Sequence, residues 1–303
     1  MIISASYKTA LPAFFGEWFA HRLDAGFCRM VNPYNPAQRR RISLLPEDVD
    51  GFFFWTKDIG PFLPQLAELR RREMAFVVHH TITAYPRELE PHVPRPQQAI
   101  DLVRRVAETY GPRCAVWRYD PLLFSALTPP ERHYQRFAAI AERLAGAVDE
   151  VIVSFTSQYR KTQANLRRAE VGWYEPPDDE KRAFVRRLAE LATAHGITLR
   201  LCCGSALAAS GVPGAHCTDA QRLSDVAGRT IVARGEGNRP DCGCAAAVDI
   251  GDYDTCGHGC VYCYAVRRPE IARQRREQRH DPTAEYLIVP DRPAAAEAQL
   301  PLF

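Results

Sequence analysis

The sequence predicts an α/β fold, a partial parallel barrel of the (β/α)6 type whose last βα unit carries a cysteine loop. Three observations predict it. Short apolar runs alternate with amphipathic helical stretches over residues 1–233. The runs are apolar throughout, as parallel strands covered on both faces tend to be. A seventh run precedes three closely spaced cysteines near the C-terminal end.

The six runs are Ile2 to Ser6, Gly51 to Trp55, Ala75 to His79, Ala115 to Tyr119, Val151 to Phe155 and Ile197 to Leu201. The helices between them carry recognisable boundaries. From Gln97 to Tyr110, residues Ile100, Val103, Val106 and Tyr110 share one face, with Pro96 at the start and Gly111 past the end. A second helix begins at Asp178 as N-cap and runs through Phe184, Leu188, Leu191 and His195 to Gly196. A third runs from Phe14 to Leu23 and is closed by Gly26. Such alternation implies right-handed βαβ units and a parallel sheet. Residues Cys28 to Leu45, around Asn32-Pro33-Tyr34-Asn35-Pro36, form a turn-centred excursion.

The seventh run, Ala246 to Ile250, follows a Pro/Gly-rich stretch, and a charged helical segment, Val266 to Arg279, follows the cysteines. Residues 1–289 therefore read as a single domain, with six βα units in 1–233 and a cysteine-rich unit in 241–282. The Ala/Pro-rich stretch 290–303 reads as a disordered tail.

Composition narrows the function classes. The chain has 303 residues, 46% of them hydrophobic, so it can bury a substantial core. A net charge of +3 gives no global argument for nucleic acid or membrane binding. Arg39-Arg40-Arg41, Arg70-Arg71-Arg72 and the arginines from Arg267 to Arg279 read as solvated helix faces and turns. The first residues lack a basic and apolar leader, and no stretch approaches the roughly 18 apolar residues of a spanning helix, so a cytoplasmic protein is expected. Structural disulfides are rare there, so ten cysteines point first to metal or cluster ligation.

The key segment reads Asp249-Ile-Gly-Asp-Tyr-Asp-Thr-Cys256-Gly-His-Gly-Cys260-Val-Tyr-Cys263-Tyr-Ala. A cubane iron–sulfur cluster is usually held by four thiolates. Three close cysteines reach three irons and leave the fourth open to the amino and carboxylate groups of S-adenosylmethionine. Electron transfer into the sulfonium then starts radical chemistry. Gly257 and Gly259 let the loop fold tightly and turn backbone N–H groups toward the cluster. The competing reading is a non-catalytic zinc protein, or one with a closed four-ligand cluster, in which Cys244, Cys242 or His258 completes the site.

Cys256-x3-Cys260-x-Tyr262-Cys263 resembles the cluster motif of the radical SAM superfamily. The longer string from Cys242-Gly-Cys244 through Asp249-Ile-Gly to Cys263-Tyr-Ala is similar to an uncharacterised bacterial family, domain-of-unknown-function family 1848. Asn32-Pro-Tyr-Asn35, Phe54-Trp-Thr-Lys57, Trp117-Arg-Tyr-Asp-Pro121, Ser154-Phe155 and Tyr159-x-Lys161 extend the resemblance over nearly the whole chain. It implies a [4Fe–4S] cluster on Cys256, Cys260 and Cys263, S-adenosylmethionine as cofactor, and an electron donor such as flavodoxin or ferredoxin. In that superfamily the cluster loop follows the first strand, whereas here it lies near the other end. A circular permutation explains this: Ala246 to Ile250 is the first strand and pairs beside Ile2 to Ser6. The superfamily's Gly-Gly-Glu segment is absent after Ile2.

Cys28 and Cys114 read as buried small residues. Cys202 and Cys203 close the sixth run, and four of Cys202, Cys203, Cys217, Cys242 and Cys244, with Cys203, Cys217, Cys242 and Cys244 as the leading set, are candidates for a second iron–sulfur cluster or zinc. In α/β barrels the C-terminal strand ends carry the chemistry. Lys57, Arg118, Asp120 and Ser154 lie there and, with Tyr262 in the loop, are the candidate cofactor contacts. Arg118 with Asp120, and Lys57, equally suit internal ion pairs. His79-His80 reads either as an acid–base pair or as structural. No catalytic residue or substrate is assigned. Nucleic-acid repair or modification is a further alternative, raised by the basic segment after the cysteines.

Overall fold

The computed structural model describes residues 1–33, 35–203, 209–237 and 242–290. The first half holds β1 (Ile2–Ser4), α1 (Leu11–Phe14), α2 (Gly16–Ala25), β2 (Phe27–Asn32), β3 (Asn35–Ser43), β4 (Gly51–Thr56), α3 (Leu63–Arg71), β5 (Phe76–Thr81) and α4 (Pro96–Tyr110). It continues with β6 (Ala115–Arg118), β7 (Phe124–Ser125), α5 (Pro130–Leu144), β8 (Glu150–Val153), α6 (Arg160–Arg168) and β9 (Trp173–Tyr174). The rest comprises α7 (Asp178–Thr193), β10 (Thr198–Leu201), α8 (Ala220–Ala227), β11 (Val248–Asp249) and α9 (Pro269–Arg279). Seven strands form one parallel sheet in the order β10-β8-β6-β5-β4-β1-β11. All six apolar runs and the seventh are strands of it.

Both faces of the sheet are covered, which explains why its strands are apolar throughout. Ile3, Phe52, Phe54, Val78, Trp117, Val151 and Val153 point to the larger core, against Trp18 and Phe19 of α2, Val103 of α4, Phe137 of α5 and Leu188 of α7. The alternate residues Ile2, Phe53, Val77, Val116 and Ile152 form a second core with Leu223 of α8. Strand alternation thus sorts neighbouring residues into two different interiors. Asp219 fixes the start of α8 by accepting from Gln221 N (2.9 Å) and Arg222 N (3.1 Å). A Cβ at Gly51 would stand 2.7 Å from Leu223 Cδ1, so glycine lets α8 approach β4 closely.

The structure departs from the sequence reading in three places. The excursion around residue 34 is an antiparallel hairpin, β2 with β3. The helix expected from Phe14 to Leu23 is interrupted at Phe15 and divides into α1 and α2, closed by Gly26 in the left-handed conformation (φ 73°). A small antiparallel pair, β7 with β9, flanks the main sheet. The tail from 291 onward lies outside the described residues. Among the described residues no helix is long and apolar enough to cross a membrane.

β11 lies beside β1, with Ile3 paired to Val248 and Ser4 to Asp249. One buried carboxylate secures this junction. Asp249 accepts from Ser4 Oγ (2.8 Å), Ser6 Oγ (2.9 Å), Tyr7 N (3.0 Å) and Gly251 N (2.9 Å), with Lys8 Nζ at 3.4 Å. Removing it strands several donors in a dry site. Asp249→Ala is expected to lower the unfolding free energy by about 3 kcal/mol, read from the denaturant midpoint, with Asp249→Asn losing less. An unchanged midpoint in the alanine variant would show that β11 docks without the carboxylate.

Candidate functional site

The cysteine loop runs from the end of β11 to the start of α9, at the C-terminal ends of the strands. Its base is pinched by Asp254, whose carboxylate accepts from Arg267 N (2.6 Å) and Arg267 Nε (2.7 Å). Asn165 of α6 holds the far side through Cys263 O (3.1 Å) and Val266 O (2.8 Å). The segment before α4 holds the near side: Val261 N donates to Leu89 O (3.1 Å) and His92 N to His258 O (3.2 Å). The glycines sit in close quarters, and at Gly259 the backbone conformation itself favours glycine. A Cβ at Gly257 would meet Arg276 Nη1 at 2.4 Å, and Gly259 is left-handed (φ +72°) against Pro91.

Cys256, Cys260 and Cys263 line one cavity of about 220 Å³, closed by Gly259, Asn165 and Arg168. Burial pushes all three thiols up, Cys263 to about 11 and Cys260 further, although the Lys57 charge opposes the rise at Cys260. Three such thiols can become thiolates together only beside a compensating cation. No disulfide joins any two of the ten cysteines. Among the described residues, no three His, Cys, Asp or Glu side chains are gathered where a single metal ion would be held.

Beside the loop, Glu90 organises a network that the sequence did not reveal. Its Oε1 accepts from Lys57 Nζ (2.9 Å), Thr83 Oγ1 (2.6 Å) and the Tyr262 hydroxyl. Burial works against the Lys57 charge, but Glu90 and then the Cys260 sulfur outweigh it, and the ammonium is held above its usual range. Lys57 and Tyr262, both candidate contacts, thus meet on one carboxylate. Glu90 sits in a stretch, Pro86-Arg-Glu-Leu-Glu90, that carries no motif.

A second group lies further along the strand ends. Arg118 makes a bidentate pair with Asp120, Nε–Oδ1 at 3.0 Å and Nη2–Oδ2 at 2.6 Å, and Ser154 Oγ donates to Asp120 Oδ2 at 3.2 Å. These three candidates therefore come together. The internal ion-pair reading of Arg118, Asp120 and Lys57 describes their contacts. Arg118 Nη1 also reaches Cys217 Sγ at 3.2 Å, and Cys217 is 3.6 Å from Cys202, which is 3.7 Å from Cys203. Of the five cysteines singled out from sequence, Cys202, Cys203 and Cys217 are thus in contact. Cys244 accepts from Cys217 N at 3.1 Å and so belongs with this group; Cys242 neighbours Cys244. Cys28 and Cys114 are buried in the main core, as expected of small apolar residues.

The two histidines separate. His79 stacks on Trp55 (5.2 Å, 6° between planes), and burial, with Arg118 nearby, pushes it down to about 3. His80 is pushed down to about 3 by burial and by Lys57. Neither ring makes a well-aligned hydrogen bond, though His79 lies against the Cys217 backbone and His80 against that of Thr81. In α9, Arg275 is paired with Asp252 and Arg276 covers the Phe14 ring, so these arginines face the cysteine loop.

The family described as Domain of unknown function (DUF1848) matches residues 2–265, from β1 through the last loop cysteine. The chain belongs to this family. No curated protein and no solved structure matches it.

Both histidines are neutral when folded and titrate near 6.5 when exposed, so the unfolded chain binds more protons below that pH. Stability is expected to be full above about pH 6.5 and to fall as pH drops toward about 3. Each histidine contributes about 1.4 kcal/mol per pH unit within that window. Urea midpoints across the range should show the slope reduced by that amount in His80→Leu. An unaltered slope would mean His80 is already protonated in the folded chain.

Proposed function

We propose that this member of the DUF1848 family is an S-adenosylmethionine-dependent radical enzyme whose Cys256, Cys260 and Cys263 hold a [4Fe–4S] cluster. The observation that carries the reading is the arrangement of these three thiols. They line one cavity beside the strand ends, with the Lys57 charge acting on Cys260. Each cysteine of a cubane binds a different iron, so three thiols around one cavity suit three of its corners. Three thiols without a fourth leave one iron for a small-molecule ligand.

When bound, the cluster supplies one electron to the sulfonium of S-adenosylmethionine, breaking a C–S bond and starting radical chemistry. The chain's own residues account for the surroundings. Lys57, fixed by Glu90, lends positive charge beside Cys260 and favours the thiolate that an iron requires. Tyr262 is locked to the same carboxylate and holds the last turn of the loop in register between Cys260 and Cys263. Arg118, Asp120 and Ser154 form a polar floor that suits the carboxylate and amino ends of a zwitterionic methionine group. An external donor such as a flavodoxin or ferredoxin delivers the electron.

We read the sheet as a partial barrel that is circularly permuted. The pairing of β11 with β1 supports the permutation. The approach of the two sheet edges supports the barrel. Ala215 N donates to Leu201 O on the β10 edge (2.9 Å), and Ala245 N, just before β11, donates to Thr218 O (2.8 Å). The stretch 213–218 thus touches both edges. Zinc on the loop and a nucleic-acid substrate gain no specific support: Cys244 lies with Cys217, and the arginines Arg267 and Arg275 are paired to loop aspartates.

Anaerobic reconstitution with iron and sulfide, followed by EPR of the reduced protein, tests the proposal. A [4Fe–4S]⁺ signal that changes shape with S-adenosylmethionine and vanishes in Cys256→Ala is expected. A folded protein that takes up no iron, or a signal indifferent to S-adenosylmethionine, would sink it. Lys57→Met should keep the signal while weakening the response to S-adenosylmethionine about tenfold in concentration. A response at unchanged concentration would remove Lys57 from the binding site.

A further inference from the structure

Three segments of the chain bring tyrosines and lysines together beside the cysteine loop. Tyr7 and Lys8 follow β1, Tyr159 and Lys161 lie at the start of α6 after β8, and Tyr253 and Tyr264 flank the loop cysteines. Lys161 Nζ stands 4.6 Å from the centre of the Tyr253 ring, and Lys8 Nζ lies 5.9 Å from the same ring. The Tyr264 hydroxyl donates to Tyr7 O, which ties the loop to the end of β1. Tyr159 packs against Tyr264 with ring centres 5.7 Å apart and planes at 43°.

Two properties of this group point to a ligand, and the first is aromatic surface. Tyr159 and Tyr264 are 42% and 43% exposed, whereas Tyr85, Tyr119 and Tyr262 are buried. Each of the exposed pair is nonetheless held in place, Tyr264 by Tyr7 and Tyr159 by Tyr264. A fixed, open tyrosine pair offers a planar ring a surface on which to stack.

The second property is charge. The nearby acids are engaged: Asp249 with Lys8, Asp252 with Arg275, Asp254 with Arg267 and Asp120 with Arg118. Lys161 has no carboxylate partner among the described residues, and its charge reaches Cys263. Arg160 and Lys161 also occupy the first turn of α6, which holds no acidic residue. Cations there oppose the helix dipole, so the helix gains nothing from them. A negative group at Lys161 relieves that opposition.

We propose that Tyr159, Lys161, Tyr253 and Tyr264 form the substrate site, and that it takes a small molecule whose planar aromatic ring carries a phosphate or carboxylate. As a substrate site it rests on the radical reading above; as a binding site it rests on the tyrosines and Lys161 alone. Tyr264 follows Cys263 directly, so a ring stacked on this pair lies beside the loop.

Calorimetric titration of the full-length chain without iron tests the binding apart from the cluster. Uridine 5′-monophosphate and 4-hydroxybenzoate are the anionic probes. Uridine and phenol lack the charge, and inorganic phosphate and acetate lack the ring. At least one anionic probe should bind at one site per chain, at least about tenfold tighter than any control. The tighter of the two probes tells a phosphate from a carboxylate source. Lys161→Ala should weaken that binding about tenfold, Lys161→Arg should retain most of it, and Tyr159→Ala should weaken it at least about fivefold. The probe selectivity is read on the parent chain, so it decides the matter even where a variant unfolds. Three outcomes overturn the proposal: no saturable binding of either anionic probe, an uncharged control bound as tightly, or unchanged affinity in both alanine variants. A chain that binds a probe yet takes up no cluster would keep the site and lose its radical chemistry, and a cluster-bearing chain that binds neither probe would do the reverse.

Discussion

The arrangement depends on the carboxylate of Asp249. It sits where a strand from the end of the described chain meets the first strand, and it satisfies two serine hydroxyls and two backbone amides at once. Strands separated by nearly the whole sequence have no short connection to hold them in register. The loop-closure entropy of joining them is modest per added residue, but it must be met by specific contacts at the junction. Val248–Asp249 is too short to dock by burial alone, because a two-residue strand offers few ladder bonds. A carboxylate taking donors from both strands supplies the missing specificity. The cysteine loop begins seven residues later, so its position at the strand ends follows from this junction.

The loop then poses an electrostatic problem that its neighbours answer. Three half-buried thiols, each raised by desolvation, resist ionisation, and a centre that ionises them needs positive charge close by. Lys57 provides it, and Glu90 keeps Lys57 charged and in place. Glu90 also holds Tyr262, so the same carboxylate sets both the field at Cys260 and the course of the chain between Cys260 and Cys263. An ion pair buried on both sides is costly unless its hydrogen bonds are complete. Thr83 brings a third donor to that carboxylate.

The sheet was legible in the sequence because burial on both faces leaves a local signature, and Phe52-Phe53-Phe54 announces a covered strand without reference to anything distant. The same holds for α4, framed by Pro96 and Gly111, and for the cysteine spacing. The placement of β11 beside β1 was also legible, since a parallel sheet that needs a first strand has few places to put it. What escaped notice depends on contacts across the fold. Glu90 is one of two acids in its loop, with Glu88, and only the approach of Lys57 and Tyr262 distinguishes it. Which of the five upstream cysteines meet was equally hidden, since the contact of Cys202 with Cys217 requires the turn at Cys203 and the return of the chain along β10. At the break the Phe15 ring is buried, edge-on to His280 after α9, a contact with no local signal.

The two cysteine groups differ in the charge they meet, and this difference bears on their chemistry. The loop thiols line a cavity of about 220 Å³, and Cys260 lies under the charge of a lysine paired with Glu90. The second group faces an arginine already committed to Asp120, with sulfurs in mutual contact and little room between them. Arg118 joins the second cysteine group to the strand ends, because its partner Asp120 is also bonded to Ser154, so a change in charge at Cys217 is felt through one guanidinium at that polar cluster.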